Sequence, residues 1–281
     1  MPAETSDGMD TVQQIELYRR QYFQLIDPQH LTAPHLDVLR LPQVQEEIYL
    51  KLFSEESIPF LPPARFRFRV LKALIDVLHE GFQDPEEDEI SDSLTACFAQ
   101  LVAQPSVSEI DSAQQKSYVT YTAPIHGSDA PSVTTLEARS TLASFGNTGV
   151  RTWEAALRLG TYLFSDAGRQ HVAGMNVIEL GAGTGFLSIL CAKHLDARFV
   201  MATDGSSDIV DELESSLILN GLEGPQTIQA RVYKWGHALI DGIQGGQDEP
   251  RSYQLVLGAD VVCHSLLLVL GLDQQEVESV G

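Results

Sequence analysis

The amino-acid sequence of this 281-residue chain predicts an α/β fold preceded by a helical amino-terminal part. Three observations carry this prediction. Apolar residues in roughly the first hundred positions recur every three or four residues, as they do on helices that bury one face. In the second half, short apolar runs alternate with helical stretches of about ten to fifteen residues, which is typical of a parallel sheet covered by helices. A glycine-rich turn joins the first of those runs to a helix.

The helical part begins with apolar residues at helical spacing, namely Ile15, Tyr18, Tyr22, Phe23 and Ile26. We expect Asp27-Pro28 to end this helix, because the residue before a proline is pushed out of the helical region. Further helices are predicted over 42–53, 63–80 and 94–102. In the third of these four helices, the alternating arginines Arg65, Arg67 and Arg69 are expected to form one solvated face.

The stretch that follows the helices contains proline, serine and glycine, and we interpret it as a linker with one candidate strand in the piece SYVTYTAP. The predicted domains are therefore a helical domain over 1–104, a linker over 105–131 and an α/β domain over 132–281. The last domain is predicted to contain, in order, a helix over 152–164, a strand over 177–180, a helix over 186–194, a strand over 199–203, a helix over 207–219 and strands over 227–232 and 253–257.

The charge balance excludes some partners. The chain has 18 Lys and Arg against 39 Asp and Glu, a net charge of −21, which repels phosphate backbones and anionic membrane surfaces. The three cysteines show no CxxC spacing and the eight histidines no metal-ligand spacing, so no metal site is predicted. The amino terminus lacks the features of a signal or transit peptide, and no apolar run approaches the roughly 18 to 20 residues of a membrane helix. We therefore expect a soluble, cytoplasmic protein.

The glycine-rich turn has the sequence VIELGAGTG over 177–185. Glycines there let the backbone approach a ligand, and the unsatisfied amides of the next helix can face a negative group. The dinucleotide fingerprint G-x-G-x-x-G fails because Phe186 stands where its third glycine is needed. The observed E-x-G-x-G-x-G form is the one that class I methyltransferases use for S-adenosylmethionine. The alternative is a tight turn that binds no ligand.

Two further residues follow the next strands. Asp204 comes at the end of the strand after the turn, where a carboxylate can accept the hydroxyls of a ribose, and its alternative role is a helix cap. Trp235 lies just past the third strand, where it could pack against an adenine ring or simply belong to the core.

Five stretches together resemble the eukaryotic elongation factor 2 lysine methyltransferases, a branch of the seven-β-strand, class I methyltransferases. They are GNTGVRTWEAALRLGTYL (146–163), NVIELGAGTGFLSILCAK (176–193), LVLGADV (255–261) and the helical pieces RRQYFQLIDPQHL and LPPARFRFRVLKAL. The resemblance implies a Rossmann-like sheet and a cofactor pocket for S-adenosylmethionine. The pocket residues that it implies are Trp153, Glu179, Gly181, Ala182, Gly183, Asp204, Trp235 and Ala259.

The same resemblance implies a reaction and a partner. The reaction is methyl transfer to a neutral lysine amine, with elongation factor 2 as the protein substrate. Asp260 matches the acid of the family's D-x-x-Y/F motif, which can orient the amine, whereas Cys263 stands at the aromatic position. Such a step asks a protein mainly for positioning and desolvation. The sequence does not indicate an oligomeric state, the target lysine or the number of methyl groups.

The resemblance stops after Val261. A full fold of this class has three more strands and two helices, roughly 80 to 100 residues by element lengths. We therefore expect a sheet truncated after its fourth strand. One interpretation is an unspliced intron, since Val262-Cys263 is what a donor site would encode; the other is a real shortened relative. In the second case the chain would be a non-catalytic module that binds at most the cofactor or a protein partner.

Overall fold

The computed structural model describes residues 8–82, 89–104, 115–123, 130–138, 148–237 and 252–261. The chain divides into two compact units, one formed by 1–151 with 215–221 and the other by 152–214 with 222–281. The predicted domain boundaries at 104 and 131 stay a prediction. We call the two units the helical unit and the α/β unit.

Five α-helices are described in the helical unit: α1 (Thr11–Phe23), α2 (Leu36–Leu39), α3 (Pro42–Ile48), α4 (Ala64–Gly81) and α5 (Asp92–Ala103). A π-helical turn over Tyr49–Phe53 continues α3, and a 3-10 turn covers Pro28–His30. The helices predicted over 42–53, 63–80 and 94–102 are thereby confirmed to within a few residues. Asp10 and Gln13 begin α1 by a reciprocal capping box, in which each side chain accepts the other's backbone N–H.

The core of the helical unit is centred on Tyr22. Its ring is fully buried and contacts the rings of Phe23, Phe53 and Phe66 at centroid distances of 5.1, 5.4 and 5.5 Å. Such aromatic pairs add about 0.5–1.5 kcal/mol each beyond the burial of their area. Helix α4 buries the apolar face that its periodicity predicts, Phe66, Val70, Leu74 and Leu78. Packing of aromatic rings therefore holds this unit together.

Helix α1 ends at Phe23, earlier than the predicted stop at 27–28. The reason is a local cap. Leu25 adopts a left-handed backbone with φ 54°, and the N–H groups of Leu25 and Ile26 donate back into the last turn at 3.0 and 3.2 Å. This is a Schellman motif, in which glycine usually occupies the left-handed position. The Schellman motif therefore ends the helix several residues before Pro28.

The expectation of one solvated arginine face is wrong for Arg67. Its side chain is buried, and the guanidinium pairs with Glu55 at 3.0 Å. Residues two apart on a helix do not share a face, so Arg65 and Arg69 are exposed while the arginine between them faces inward.

Two antiparallel strands form a hairpin in the helical unit, β1 (Lys116–Thr122) and β2 (Ser132–Ala138). The strand predicted within SYVTYTAP is confirmed as β1, whereas β2 was not predicted. Glu137 is buried on β2, where its carboxylate accepts hydrogen bonds from the Tyr121 hydroxyl at 3.1 Å and the Thr135 hydroxyl at 2.7 Å.

The α/β unit contains the helices and strands α6 (Glu154–Leu163), α7 (Asp166–Val172), β3 (Asn176–Leu180), α8 (Phe186–His194), β4 (Phe199–Asp204), α9 (Ser207–Leu219), β5 (Ile228–Val232) and β6 (Leu255–Leu257). The last residues of α9, from Ser215, group with the helical unit. Strands β3–β6 and helices α6, α8 and α9 were all predicted. Helix α7 was not predicted; the Ser165 side chain caps it by accepting the Gly168 N–H at 3.2 Å.

The four strands of the α/β unit form one parallel sheet with the order β5-β4-β3-β6. Val177 and Val200 are fully buried partners in the two central strands, and Leu187 on α8 is fully buried as well. The predicted α/β fold with a parallel, helix-covered sheet is confirmed. Cys263 and the expected loss of the last strands lie outside the described residues.

Three smaller findings concern the described part of the chain alone. Both of its cysteines, Cys97 and Cys191, are buried and free. Within the described ranges no group of His, Cys, Asp and Glu is arranged to hold a metal ion. Nor does any helix in those ranges have the length and hydrophobicity needed to cross a membrane.

Candidate functional site

The candidate site lies at the carboxyl edge of the parallel sheet, beside β3. Strand β3 pairs with β4 on one side and with β6 on the other, so the direction in which the strands are added reverses there. Open α/β sheets bind ligands in the crevice at such a reversal, outside the carboxyl ends of the strands. The predicted glycine-rich turn follows β3 directly and therefore stands at this crevice.

The turn has a backbone that few residues other than glycine adopt. Gly181, Gly183 and Gly185 have φ angles of 66°, 54° and 81°. The N–H of Ala182 donates to the carbonyl of Thr203 at 2.8 Å, which fixes the turn to the end of β4. A Cβ on Gly181 would also lie only 2.9 Å from Cγ1 of Val261. The turn is therefore closely packed and restricted to glycine by both conformation and space.

Asp204 ends β4 with its carboxylate directed at the glycine-rich turn. One carboxylate oxygen accepts the Gly183 N–H at 3.1 Å, and the other accepts the Ser206 N–H at 3.1 Å. Each oxygen keeps a further lone pair, and the side chain is only half-buried. A carboxylate held in this way can accept hydrogen bonds from the hydroxyl groups of a ligand beside the turn.

Glu179 is buried near the end of β3, two residues before the first glycine of the turn, and its side chain caps helix α8. Its carboxylate accepts hydrogen bonds from the hydroxyl and the backbone N–H of Ser188. The first N–H groups of a helix lack partners within the helix, and the N-cap residue of α8, Gly185, has no side chain that could serve them. Burial raises the pKa of Glu179 to about 7; the Ser188 bonds lower it, and nearby Asp204 raises it.

A pair of threonine hydroxyls ties the segment before α6 to the glycine-rich turn. Thr152 and Thr184 are both buried, and their hydroxyl oxygens are 2.7 Å apart. Trp153 follows directly, and 38% of its surface is exposed. The structure thus holds the backbone next to Trp153 against the turn and leaves part of the indole accessible to a ligand.

The other predicted residues are brought to the same edge by their strands. Trp235 is half-buried shortly after β5, and the N–H of Tyr233 before it donates to the Asp204 carbonyl at 2.8 Å. Ala259 and Asp260 follow β6; Asp260 is exposed and has a left-handed backbone with φ 58°. Hydrogen bonds join the glycine-rich turn to Asp204, and strand order places Trp235, Ala259 and Asp260 at the same edge.

Sequence reasoning missed the residues that support this arrangement, namely Thr152, Thr184, Ser188 and Val261. Ser188 gave a signal, because it is a lone hydroxyl in the apolar helix FLSILCAK that begins after the glycines. The threonine pair links positions far apart in the chain, which no local pattern reveals. Val261 is an ordinary apolar residue after a strand, and nothing in the sequence around it signals its contact with the glycines.

Comparison with known proteins agrees with this geometry. A family model described as "Lysine methyltransferase" matches residues 134–270. The chain is 44% identical over 243 residues to the protein-lysine N-methyltransferase EFM3 of Chaetomium thermophilum, a match that covers 86% of this chain and 71% of that protein. The chain belongs to the protein-lysine methyltransferase family. The family predicted from the sequence is confirmed, and with it the enzyme class of a protein-lysine N-methyltransferase.

Two further members of the protein-lysine methyltransferase family match more briefly. EFM3 of Saccharomyces cerevisiae is 29% identical over 164 residues, which is 49% of this chain and 45% of the yeast protein. The protein-lysine N-methyltransferase EEF2KMT of Homo sapiens is 30% identical over 98 residues, 35% of this chain and 29% of the human protein. These two matches cover less than half of the relatives' own length.

Proposed function

We propose that this protein-lysine methyltransferase transfers a methyl group from S-adenosylmethionine to a lysine of elongation factor 2. One observation carries the proposal: the left-handed glycine-rich turn stands where the strand order of the sheet reverses, and its Gly183 N–H is bonded to Asp204 at 3.1 Å. Protein-lysine methyltransferases in general use this cofactor.

The residues present fit the proposed cofactor. The glycine backbone of the turn is bound to Asp204 through the Gly183 N–H, and Asp204 keeps lone pairs for the two hydroxyls of a ribose. Trp153 has an exposed part of its indole near the turn, and Trp235 follows the neighbouring strand. We propose that Gly181, Ala182, Gly183 and Ala259 line the same pocket, and that Glu179 acts indirectly by fixing the turn to α8.

When bound, S-adenosylmethionine supplies an electrophilic methyl group on a positively charged sulfur, whose C–S bond breaks with the electron pair retained on sulfur. A neutral lysine amine forms the new N–C bond with its lone pair and releases one proton to solvent. Asp260, exposed at the end of β6, can accept a hydrogen bond from that amine and so orient the lone pair. Positioning of this kind is the main contribution a protein makes to such a displacement.

Elongation factor 2 is proposed from the sequence resemblance, and the name of the human and mouse relatives, EEF2KMT, agrees with it. We also propose the cytoplasm as the compartment, because translation takes place there.

The test is methylation of purified, unmethylated elongation factor 2 by the full chain with radioactive S-adenosylmethionine. We expect transfer by the wild type, its loss in Asp260→Ala, and its retention in Asp208→Ala, an exposed aspartate on α9. Cofactor binding is measured in parallel by calorimetry. Binding without transfer to elongation factor 2 would reject the substrate. A folded chain that does not bind the cofactor would favour the non-catalytic module.

A further inference from the structure

The carboxylate of Asp260 has no hydrogen bond or ion pair to any other residue within the part of the chain that the structure describes. The residue is exposed, and its φ of 58° is unusual for a residue other than glycine. The position of the acid depends on whatever fixes the backbone after β6.

The next residue, Val261, supplies that fixation. Its side chain packs against two glycines, Gly181 after β3 and Gly258 after β6. A Cβ on Gly181 would lie 2.9 Å from Cγ1 of Val261, and a Cβ on Gly258 would lie 3.2 Å from Cγ2. Both distances are shorter than ordinary contacts, so the valine fills the space that these two glycines leave open.

The register of the sheet explains why these groups meet. Strands β3 and β6 run in parallel, with Glu179 opposite Leu257. Gly181 and Gly258 follow these partners at the same edge, and the side chain that comes after the left-handed residue Asp260 lies against both of them. One isopropyl group thus joins the glycine-rich turn to the segment that carries the acid.

We propose that Val261 is a positioning residue for methyl transfer, which fixes the distance between the glycine-rich turn and the Asp260 carboxylate. The inference rests on the proposed function, because that function gives the turn its cofactor and the acid its amine. Val261 itself contacts neither substrate nor cofactor in this assignment. Its branched shape at Cβ determines where Asp260 stands.

The experiment compares three variants of the full chain: Val261→Ala, which removes the packing; Val261→Thr, which keeps the branched shape; and Val256→Ala, the same truncation at an exposed valine of β6. The dissociation constant of S-adenosylmethionine is measured by calorimetry, and kcat with elongation factor 2 by single-turnover transfer. For Val261→Ala we expect kcat to fall by about 10-fold or more while cofactor affinity changes by less than about 3-fold. Val261→Thr and Val256→Ala should behave as the wild type.

The outcomes separate the two proposals. An unchanged kcat in Val261→Ala, or an equal fall in Val256→Ala, overturns the positioning role and leaves the proposed function intact. A wild-type chain that transfers no methyl group overturns both. If Val261→Ala does not fold, Val261→Leu, which keeps apolar volume but moves the branch point, must show the same loss of kcat at retained cofactor affinity. An unchanged kcat in that variant again overturns the inference.

Discussion

Leu25 of the helical unit, with φ 54°, and Asp260 of the α/β unit, with φ 58°, share the left-handed backbone conformation but differ in burial. This conformation costs an L-residue roughly 1–2 kcal/mol. Leu25 is 7% exposed and offsets that cost by joining the aromatic core around Tyr22. Asp260 is exposed and gains no such burial.

The left-handed residue has a different role in each unit. In the helical unit the unusual backbone closes a helix and buries a side chain, so it contributes to folding. In the α/β unit it occurs at an exposed acid that follows β6, at the carboxyl edge of the sheet. Strain that burial does not offset is a feature of functional sites. Asp196, an exposed aspartate before β4 that pairs with Arg169, has the same backbone conformation with φ 56°. The assignment of Asp260 therefore rests on its place after β6 and on the D-x-x-Y/F motif.

The largest effect is expected at Leu25. Leu25→Ala keeps the unfavourable backbone and loses the burial, so the free energy of unfolding should fall by about 3 kcal/mol. Leu25→Gly loses the same side chain but relieves the backbone, and it should retain up to about 1 kcal/mol more than the alanine variant. Urea denaturation followed by far-UV circular dichroism measures both. If the glycine variant is clearly the less stable of the two, the left-handed cap is not strained.

The same experiment can separate the units, because both tryptophans, Trp153 and Trp235, belong to the α/β unit. The substitutions at Leu25 should shift the circular dichroism transition further than the tryptophan fluorescence transition. Equal shifts in both signals would show that the two units unfold as one.

The second effect concerns Asp204 in the α/β unit. Asp204→Asn removes the negative charge that accepts the Gly183 N–H. In the proposed function the same carboxylate also accepts hydrogen bonds from the ribose hydroxyls of the cofactor. Hydrogen bonds to charged groups contribute about 1.5–3 kcal/mol, so the dissociation constant of S-adenosylmethionine should rise by about 10- to 100-fold. Asp208→Asn, which removes an exposed charge from α9, is the matched control. An unaltered dissociation constant in Asp204→Asn would exclude this carboxylate from the cofactor site.

A third prediction tests the buried carboxylate of Glu179. Burial raises its pKa from 4.5 to about 7, so between these values the folded chain holds a proton that the unfolded chain has released. The contribution to stability is therefore present below pH 4.5 and is lost as the pH rises toward 7. The slope is at most about 1.4 kcal/mol per pH unit.

Glu179→Gln should remove this slope, since the amide stays neutral and its oxygen can still accept from Ser188. Denaturation of the variant and the wild type at a series of pH values gives the difference curve. Glu223→Gln makes the same charge change at an exposed position and serves as the control. Parallel curves for the wild type and Glu179→Gln would contradict the raised pKa.

The smallest expected change in stability is at Asp260. Asp260→Gly relieves the left-handed backbone without losing buried surface, so the α/β unit should gain up to about 1 kcal/mol of stability. Methyl transfer should be abolished in the same variant. Tryptophan fluorescence reports the first result and the radioactive assay the second. A loss of stability would mean that Asp260, like Leu25, serves the fold.

Much of the fold could be predicted because local signals agree with it. Helices α8 and α9 were predicted at their observed bounds, since glycines or an Asn-Gly pair stand beside them. Strand β2 escaped prediction because two of its three inward positions are the polar residues Thr135 and Glu137, which hides the apolar alternation. Leu25 escaped because leucine gives no sign of a left-handed cap.

The residues of the candidate site also fall into those that local sequence patterns predict and those that they do not. Glu179, the glycines and Asp204 belong to consecutive segments whose spacing predicts a turn with a carboxylate beside it. Thr152, Thr184 and Val261 act across long stretches of chain, and their contacts follow from strand order and register. No periodicity or spacing in the sequence carries that information.

The strand order also bears on how the catalytic edge is assembled during synthesis. The central strand β3 leaves the ribosome before every other strand of its sheet. Pairing with β4 closes a loop across 24 residues, whereas the bond between Asn176 and Gln254 at the start of the β6 pairing closes one across 78. By loop-closure entropy the second step costs about 1 kcal/mol more. The nascent chain thus forms its glycine-rich turn and Asp204 first, and Asp260 reaches the crevice only with the last of the described strands.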